Sequence, residues 1–328
     1  MNRLKNTFTE FSTKKIIVIG DVMIDTYLNG SVQRISPEAP VPIVQFKSRE
    51  HRLGGAANVA LNLQSLGAQP FICTIVGKDE QADLLFKLLN ENKLSTKGIL
   101  KGDDRVTTVK TRVIGNNQQL LRVDNEDTTE INSLAEFALI EKVKEIVLKE
   151  GIDGIIFEDY NKGILTENVI NSIIEFANLN NIVTTVDPKK LNFLTYKNVT
   201  LFKPNLKELR EGLDRIIDSK EREDFQEAIN QLKTIINPKY VFVTLSENGV
   251  YMNDADKHYY VPAHLRTIAD VSGAGDTVIS VATLCLVSGV SSEDIAKVSN
   301  IAGGLVCEKI GVVTVDKEKL MSEVLMLL

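Results

Sequence analysis

Cysteine and histidine are scarce in this sequence, and their scarcity closes off several chemistries. Cys73, Cys285 and Cys307 are the only three cysteines in 328 residues. They are odd in number, far apart and set among apolar residues, which suits reduced core positions in a cytoplasmic protein rather than a disulfide framework. The histidines are His51, His258 and His264; none is spaced to share a helix face with another, so a zinc site is not expected. No apolar run approaches the roughly 20 residues of a membrane span, and residues 1–15 lack the apolar stretch of a secretion signal. Positive charge is not in excess either: the net charge is −6 and the isoelectric point about 5.4. That balance argues against a nucleic-acid partner and leaves room only for a local basic pocket. Repeats, low-complexity tracts and interdomain linkers are absent as well. At 43% hydrophobic and 25% charged, the chain suits a soluble protein with a sizeable core, expected as one domain over residues 1–328.

What is present is an alternation of short β-branched runs and amphipathic stretches. Residues 15–20 end at Gly20 and read as a buried parallel strand. Asp21 and Asp25 follow at its carboxyl end, where open α/β sheets bind ligands. Residues 71–76, 154–157, 182–186, a run near Leu201 and 240–245 read as further strands. Residues 80–92, 133–149 and 166–179 read as helices, the last capped by Thr166. The expected class is α/β, a mainly parallel sheet with helices on both faces. Two stretches break the rhythm. Pro37, Pro40 and Pro42 exclude a helix and a central strand, and suit an exposed extended flap. Residues 107–114 and 118–123 flank Gly115-Asn116-Asn117, a hairpin signal. The two are expected to pair as a small β lid, with segments of about 22–50 and 105–124 inserted in the domain. Between them, Gly54-Gly55-Ala56-Ala57-Asn58 opens a small-residue helix that Gly67 closes.

The string Asp270-Val271-Ser272-Gly273-Ala274-Gly275-Asp276-Thr277 runs into the apolar residues 278–287, long enough for a buried helix. Glycines at a helix start leave backbone N–H groups uncovered at the positive dipole end, an arrangement that attracts anions. An aspartate just beyond would repel that anion unless it takes a proton from a hydroxyl attacking phosphorus. A plain helix start with a favourable acidic residue explains the string equally well on physics alone.

The pattern Asp-x-x-Gly-Ala-Gly-Asp resembles the signature of the ribokinase-like (PfkB) carbohydrate kinases. That resemblance implies a three-layer α/β/α fold, with Asp276 as the catalytic base beside Gly273, Ala274 and Gly275. It also implies that Gly54, Gly55 and Asn58 lie against the sugar, and that Asp21 and Asp25 serve its hydroxyls, which a carboxylate can only accept from. Met23 stands where family members often carry asparagine, so hydroxyl recognition is expected to differ from that of ribokinase. Asn205-Leu206-Lys207-Glu208 resembles the family's Asn-x-x-Glu motif, implying Asn205 and Glu208 near the nucleotide phosphates, with Glu208 reaching magnesium through water. Ser246 and Gly249 are implied along ATP, and Asn300 and Gly303 beside the adenine. A capped helix start accounts for Asn205-Glu208, and helix packing for Gly303, just as well. ATP and Mg2+ are the implied cofactors, with potassium a further candidate.

Four stretches carry the resemblance further: Gly20 to Asp25; Arg34-Ile35-Ser36-Pro37-Glu38-Ala39-Pro40-Val41-Pro42; Asn117 to Asp124; and Asp159-Tyr160-Asn161-Lys162-Gly163. They are similar to the family's kinases of D-glycero-β-D-manno-heptose 7-phosphate, which implies transfer to the anomeric hydroxyl. In many bacteria such a kinase is half of a fused protein; this length suits the stand-alone half. A phosphorylated sugar needs a cation, for which Lys162 and Lys189 are candidates near Asp159, with Arg112 and Arg122 of the lid behind them. A homodimer through the lid is also implied, with neither nucleic acid nor membrane as partner. A dinucleotide-binding oxidoreductase is weakened by the lack of Gly-x-Gly-x-x-Gly after the first strand. An inactive sugar-binding regulator is weakened by the intact Gly273–Asp276 string.

Overall fold

The computed structural model describes residues 2–219, 221–255 and 257–328. Its elements in order are α1 (Asn2–Glu10), β1 (Lys15–Gly20), β2 (Val22–Ile35), β3 (Pro42–Gly55), α2 (Ala56–Ser65), β4 (Gln69–Gly77), α3 (Glu80–Glu91), β5 (Ser95–Gly102), β6 (Val109–Gly115), β7 (Gln118–Asn125), α4 (Ser133–Glu150), β8 (Gly154–Glu158), α5 (Glu167–Leu179), β9 (Val183–Asp187), β10 (Leu201–Phe202), α6 (Leu206–Leu213), α7 (Arg222–Ile236), β11 (Tyr240–Thr244), β12 (Val250–Asp254), β13 (Lys257–Val261), α8 (Ala274–Val287), α9 (Ser292–Cys307) and α10 (Lys317–Leu327). Nine strands form the main sheet in the order β13-β12-β11-β10-β9-β8-β1-β4-β5. It is parallel except at the β11-β12-β13 end.

Alternation along the strands explains the layers. In β1, Ile16 and Val18 join a core shared with α2, α8, α9 and α10, while Ile17 and Ile19 join the core under α4, α5, α6 and α7. Successive side chains of a strand point to opposite faces, so a run apolar at every position must be covered on both. The apolar run after Asp276 is α8, buried from Asp276 to Cys285 because α2 and α9 flank it and the sheet lies beneath.

The lid is a four-stranded sheet in the order β3-β2-β6-β7. Pairing is antiparallel in β2–β3 and β6–β7 but parallel in β2–β6, so this sheet is mixed. The flap expected around residues 30–50 is a long hairpin. Its prolines gather at the turn and at the start of the edge strand β3, while the proline-free β2 takes the interior place. Lid and domain meet closely: β2 starts one residue after β1 ends, and β3 runs directly into α2. Asp25 is therefore a lid residue rather than a loop residue at the first strand's end. Residues 105–108 carry no strand, and β5, β12 and β13 had no clear signal in the sequence.

Candidate active site

The strand order reverses about β1: the chain builds outward through β4 and β5 on one side, then through β8, β9, β10 and β11 on the other. Loops at the carboxyl ends of β1 and β8 diverge there and open a crevice. Into it project Asp21 after β1, Glu158 and Tyr160 at the end of β8, Asp187 at the end of β9 and Lys203 after β10.

Asp276 closes the crevice from α8, whose N-cap is Gly273 at φ +79°. Its buried carboxylate accepts the Asn58 amide at 2.6 Å and the Tyr160 hydroxyl at 3.2 Å. Asn58 is itself set by α2, where Asn62 donates to the Asn58 carbonyl at 3.0 Å and accepts from the Thr277 hydroxyl at 3.0 Å. Two helices thus fix one carboxylate. Burial pushes the Asp276 carboxyl up to about 6, and the neighbouring Asp187 charge adds to the rise; Asn58, Tyr160 and Lys203 oppose it. Such a group is ionised at neutral pH yet holds a proton well, as a general base must.

Beneath the Gly273–Gly275 turn lies a charged floor. A Cβ at Gly275 would sit 3.4 Å from Asp187 Oδ2 and 3.8 Å from Lys203 Nζ. Lys203, only 2% exposed, donates to Asp187 at 2.8 Å, and Lys189 lies 3.8 Å from Asp187 while pairing with Glu208. Burial works against ionised Asp187, but the two lysines outweigh it and hold the carboxyl below the usual range. Oxygens of Glu158, Asp187 and Asp276, all buried, lie within 4.8 Å of one another. Glu158 Oε2 is enclosed without a hydrogen-bond partner among the described residues. Burial and the adjacent Asp187 and Asp276 charges drive the Glu158 carboxyl well above its ordinary range. Hard oxygen donors gathered in this way suit a divalent cation such as magnesium, and the unanswered Glu158 oxygen is what fits the set to one.

The expected sugar-side residues converge from the lid. Asp25 accepts from Arg112 at 2.6 Å. Gly54 lies against it, where a Cβ would meet Asp25 Oδ2 at 2.5 Å. Gly55 needs its missing side chain: at φ +59° a Cβ would sit 2.3 Å from the Asp21 carbonyl oxygen. Asp21 Oδ2 accepts the N–H groups of Tyr160 at 2.8 Å and Lys162 at 3.1 Å, so it shapes the loop after β8. Burial, with the Asp159 charge, raises the Asp21 carboxyl to about 6. Asp159 is itself enclosed, accepting from Tyr196 at 2.7 Å and Asn192 at 3.1 Å.

Other expected residues are already engaged. Lys162 pairs with Glu126 at 2.6 Å and Arg122 with Asp124 at 2.9 Å. Asn205 and Glu208 form a capping box at the start of α6 at 2.8 and 2.9 Å, and the second Glu208 oxygen takes Lys189. Each Glu208 oxygen thus already accepts one hydrogen bond. Ser246 and Gly249 sit in the turn between β11 and β12. Asn300 of α9 donates to the Pro262 carbonyl at 2.8 Å, tying that segment down. Gly303 faces α8, where a Cβ would lie 2.9 Å from Val278 Cγ2, which is a helix-packing contact. Sequence reasoning missed Glu158, Tyr160, Asp187 and Lys203 as site residues. Each lies at a strand's carboxyl end or within two residues of it, and that position was the available signal.

A buried carboxylate one residue past a glycine-opened helix start is an arrangement that suits a phosphotransferase with an alcohol group as acceptor. The pattern of the pfkB family carbohydrate kinase matches residues 13–319, and the chain belongs to that family. A bifunctional protein HldE of Methylobacillus flagellatus is 38% identical over 308 residues, covering 94% of this chain and 62% of that protein. The protein of the same name from Campylobacter jejuni subsp. doylei is 40% identical over 315 residues, covering 94% and 64%. The chain thus spans less than two thirds of the length of these curated relatives. Escherichia coli phosphofructokinase-2 in complex with potassium superposes with a TM-score of 0.78 at 20% identity, covering 95% of this chain and 99% of that one. Arabidopsis thaliana ribokinase complexed with ribose and ATP gives 0.72 at 14% identity, covering 95% and 98%. At these identities the superpositions establish the ribokinase-like fold.

Proposed function

We propose that this carbohydrate kinase moves the γ-phosphoryl group of ATP to the anomeric hydroxyl of D-glycero-β-D-manno-heptose 7-phosphate. The product is the 1,7-bisphosphate, on the way to ADP-heptose and the lipopolysaccharide core. The observation that carries the kinase chemistry is Asp276, buried and held by Asn58 and Tyr160 one residue past the Gly273–Gly275 turn. Support for the heptose comes from the four stretches noted in the sequence and from the HldE proteins, at 38–40% identity over 94% of this chain.

In this reading the sugar lies between Asp25, Gly54, Gly55 and Asn58 of the lid side and Asp276 of α8. Asp276 takes the hydroxyl proton as the oxygen attacks phosphorus, and the N–H groups at the start of α8 meet the charge on the transferred group. Lys203 and Lys189 offset the remaining negative charge from below. Magnesium, when bound, shields the phosphate charges; Glu158 and Asp187 would hold it, with Glu208 reaching it through water. The turn at Ser246–Gly249 and α9 at Asn300–Gly303 flank the nucleotide. Potassium is a further candidate ion, in line with the potassium complex of phosphofructokinase-2.

We read the enzyme as cytoplasmic, where ATP is available. It is also read as a homodimer through the lid. By register, Phe46, Leu121 and Val123 lie on the lid face opposite Asp25 and Arg112, at 62%, 57% and 52% exposure. An apolar sheet face of this kind is normally covered. A coupled ADP-release assay over sugar 7-, 6- and 5-phosphates and their free sugars tests the substrate. The heptose 7-phosphate should give the highest kcat/KM, and a clear preference for a hexose or pentose phosphate would overturn the assignment.

A further inference from the structure

We propose that Lys110, on the inward face of the lid, is the cation that receives the substrate's phosphate and so sets the enzyme's preference for phosphorylated sugars. This rests on the sugar-phosphate reading above.

Strand register fixes the face. Asp25, Lys110 and Asp124 are direct cross-strand neighbours. Their side chains share one side of the lid with Tyr27, Arg112 and Arg122, each two residues along its strand. That side looks onto the reacting centre, because Lys110 Nζ lies 5.6 Å from the ring centroid of Tyr160. The hydroxyl of the same ring donates to Asp276, so one tyrosine separates the lysine from the base.

Among the described residues, the other cations of this region are answered. Arg112 is paired with Asp25 at 2.6 Å, Arg122 with Asp124 at 2.9 Å, Lys162 with Glu126 at 2.6 Å and Lys203 with Asp187 at 2.8 Å. Lys189 is taken by Glu208. Arg105 donates to the Lys162 carbonyl at 2.6 Å and faces Asp21 and Asp127 behind the loop. Lys110 alone of this group has neither an ion pair nor a hydrogen bond: of its three acidic neighbours, Glu126 is held by Lys162, Asp25 by Arg112 and Asp124 by Arg122. It is also half-buried. Burial, with the charge of Lys162 nearby, loosens its hold on its proton.

An unpaired ammonium in a partly desolvated space, close enough to a second lysine to be repelled by it, is relieved by an anion between them. A phosphate on the far end of the sugar supplies that anion; a neutral sugar does not. It would join the lid, through Lys110, to the loop carrying Tyr160 and Lys162. Phosphate recognition and the drying of the Asp276 carboxylate would then be one event.

The test compares wild type, Lys110→Met and Lys110→Arg on heptose 7-phosphate and on the free heptose. The expected result is a loss of about tenfold or more in the ratio of the two kcat/KM values for Lys110→Met. The loss should appear in KM for the phosphorylated sugar rather than in kcat, and Lys110→Arg should restore most of it. Thermal stabilisation by the sugar phosphate without ATP should shrink in parallel. If wild type prefers the phosphorylated sugar and Lys110→Met keeps that preference within about twofold, Lys110 is not the phosphate ligand, while the substrate reading stands. If wild type does not prefer a phosphorylated sugar at all, the substrate reading itself fails and this inference with it.

Discussion

Replacing Asp276 with asparagine should cost activity and, at neutral pH, return stability, because the same burial produces both effects. The carboxyl is moved from 3.8 to about 6 in the fold, chiefly by desolvation. A carboxyl whose folded value is raised contributes stability below its unfolded value, and that contribution is lost as pH climbs through the folded value. The full shift corresponds to roughly 3 kcal/mol, of which about 2 kcal/mol falls between pH 4.5 and pH 8. Asparagine removes the titration but keeps only one acceptor oxygen for the two donors, Asn58 at 2.6 Å and Tyr160 at 3.2 Å. One donor left facing an amide N–H costs about 1 kcal/mol at either pH. The variant should therefore be about as stable as wild type near pH 4.5 and about 2 kcal/mol more stable near pH 8. Phosphoryl transfer should fall by about 10²–10⁴-fold, with sugar and ATP binding retained. Wild-type kcat/KM should drop as pH falls below about 6, when Asp276 takes up a proton. Urea unfolding at both pH values and a pH–rate profile check the argument. A variant that keeps more than about a tenth of wild-type kcat, or a stability difference that does not grow with pH, would refute it.

Gly275→Val should reduce kcat by about 10²-fold with little loss of thermal stability. The new Cβ meets its neighbours at 3.4 Å or beyond, while its methyl groups screen the N–H groups at the helix start; equal losses of both would mark a merely structural turn. Wild type should sediment as a dimer at micromolar concentration, and Phe46→Glu, charging the exposed lid face, should shift it toward monomer without harming the fold. A monomeric wild type would remove the lid interface.

The α/β class, the lid hairpin around Gly115–Asn117, an extended flap before it, the helix after Asp276, the helix opened by Gly54-Gly55 and the Gly273–Gly275 turn were legible along the chain. Hydrophobic period, proline placement and glycine spacing are local properties, and local properties survive in a one-dimensional string. The switch point was not legible, since strand order depends on long-range pairing that no neighbouring residue encodes. That order, with α8 packed over it, brings Glu158, Asp187 and Asp276 to one place and sets Lys203 beneath them. The cations show the same division. In the sequence Lys162 and Lys189 were the natural phosphate ligands because each follows a strand. Only the fold shows Glu126 and Glu208 already holding them, and only the lid's register leaves Lys110 unpaired over Tyr160 among the described residues. Sequence determined which residues could do the chemistry; tertiary structure decided which still have a charge to spare, because neutralisation depends on what lies within a few ångströms in space.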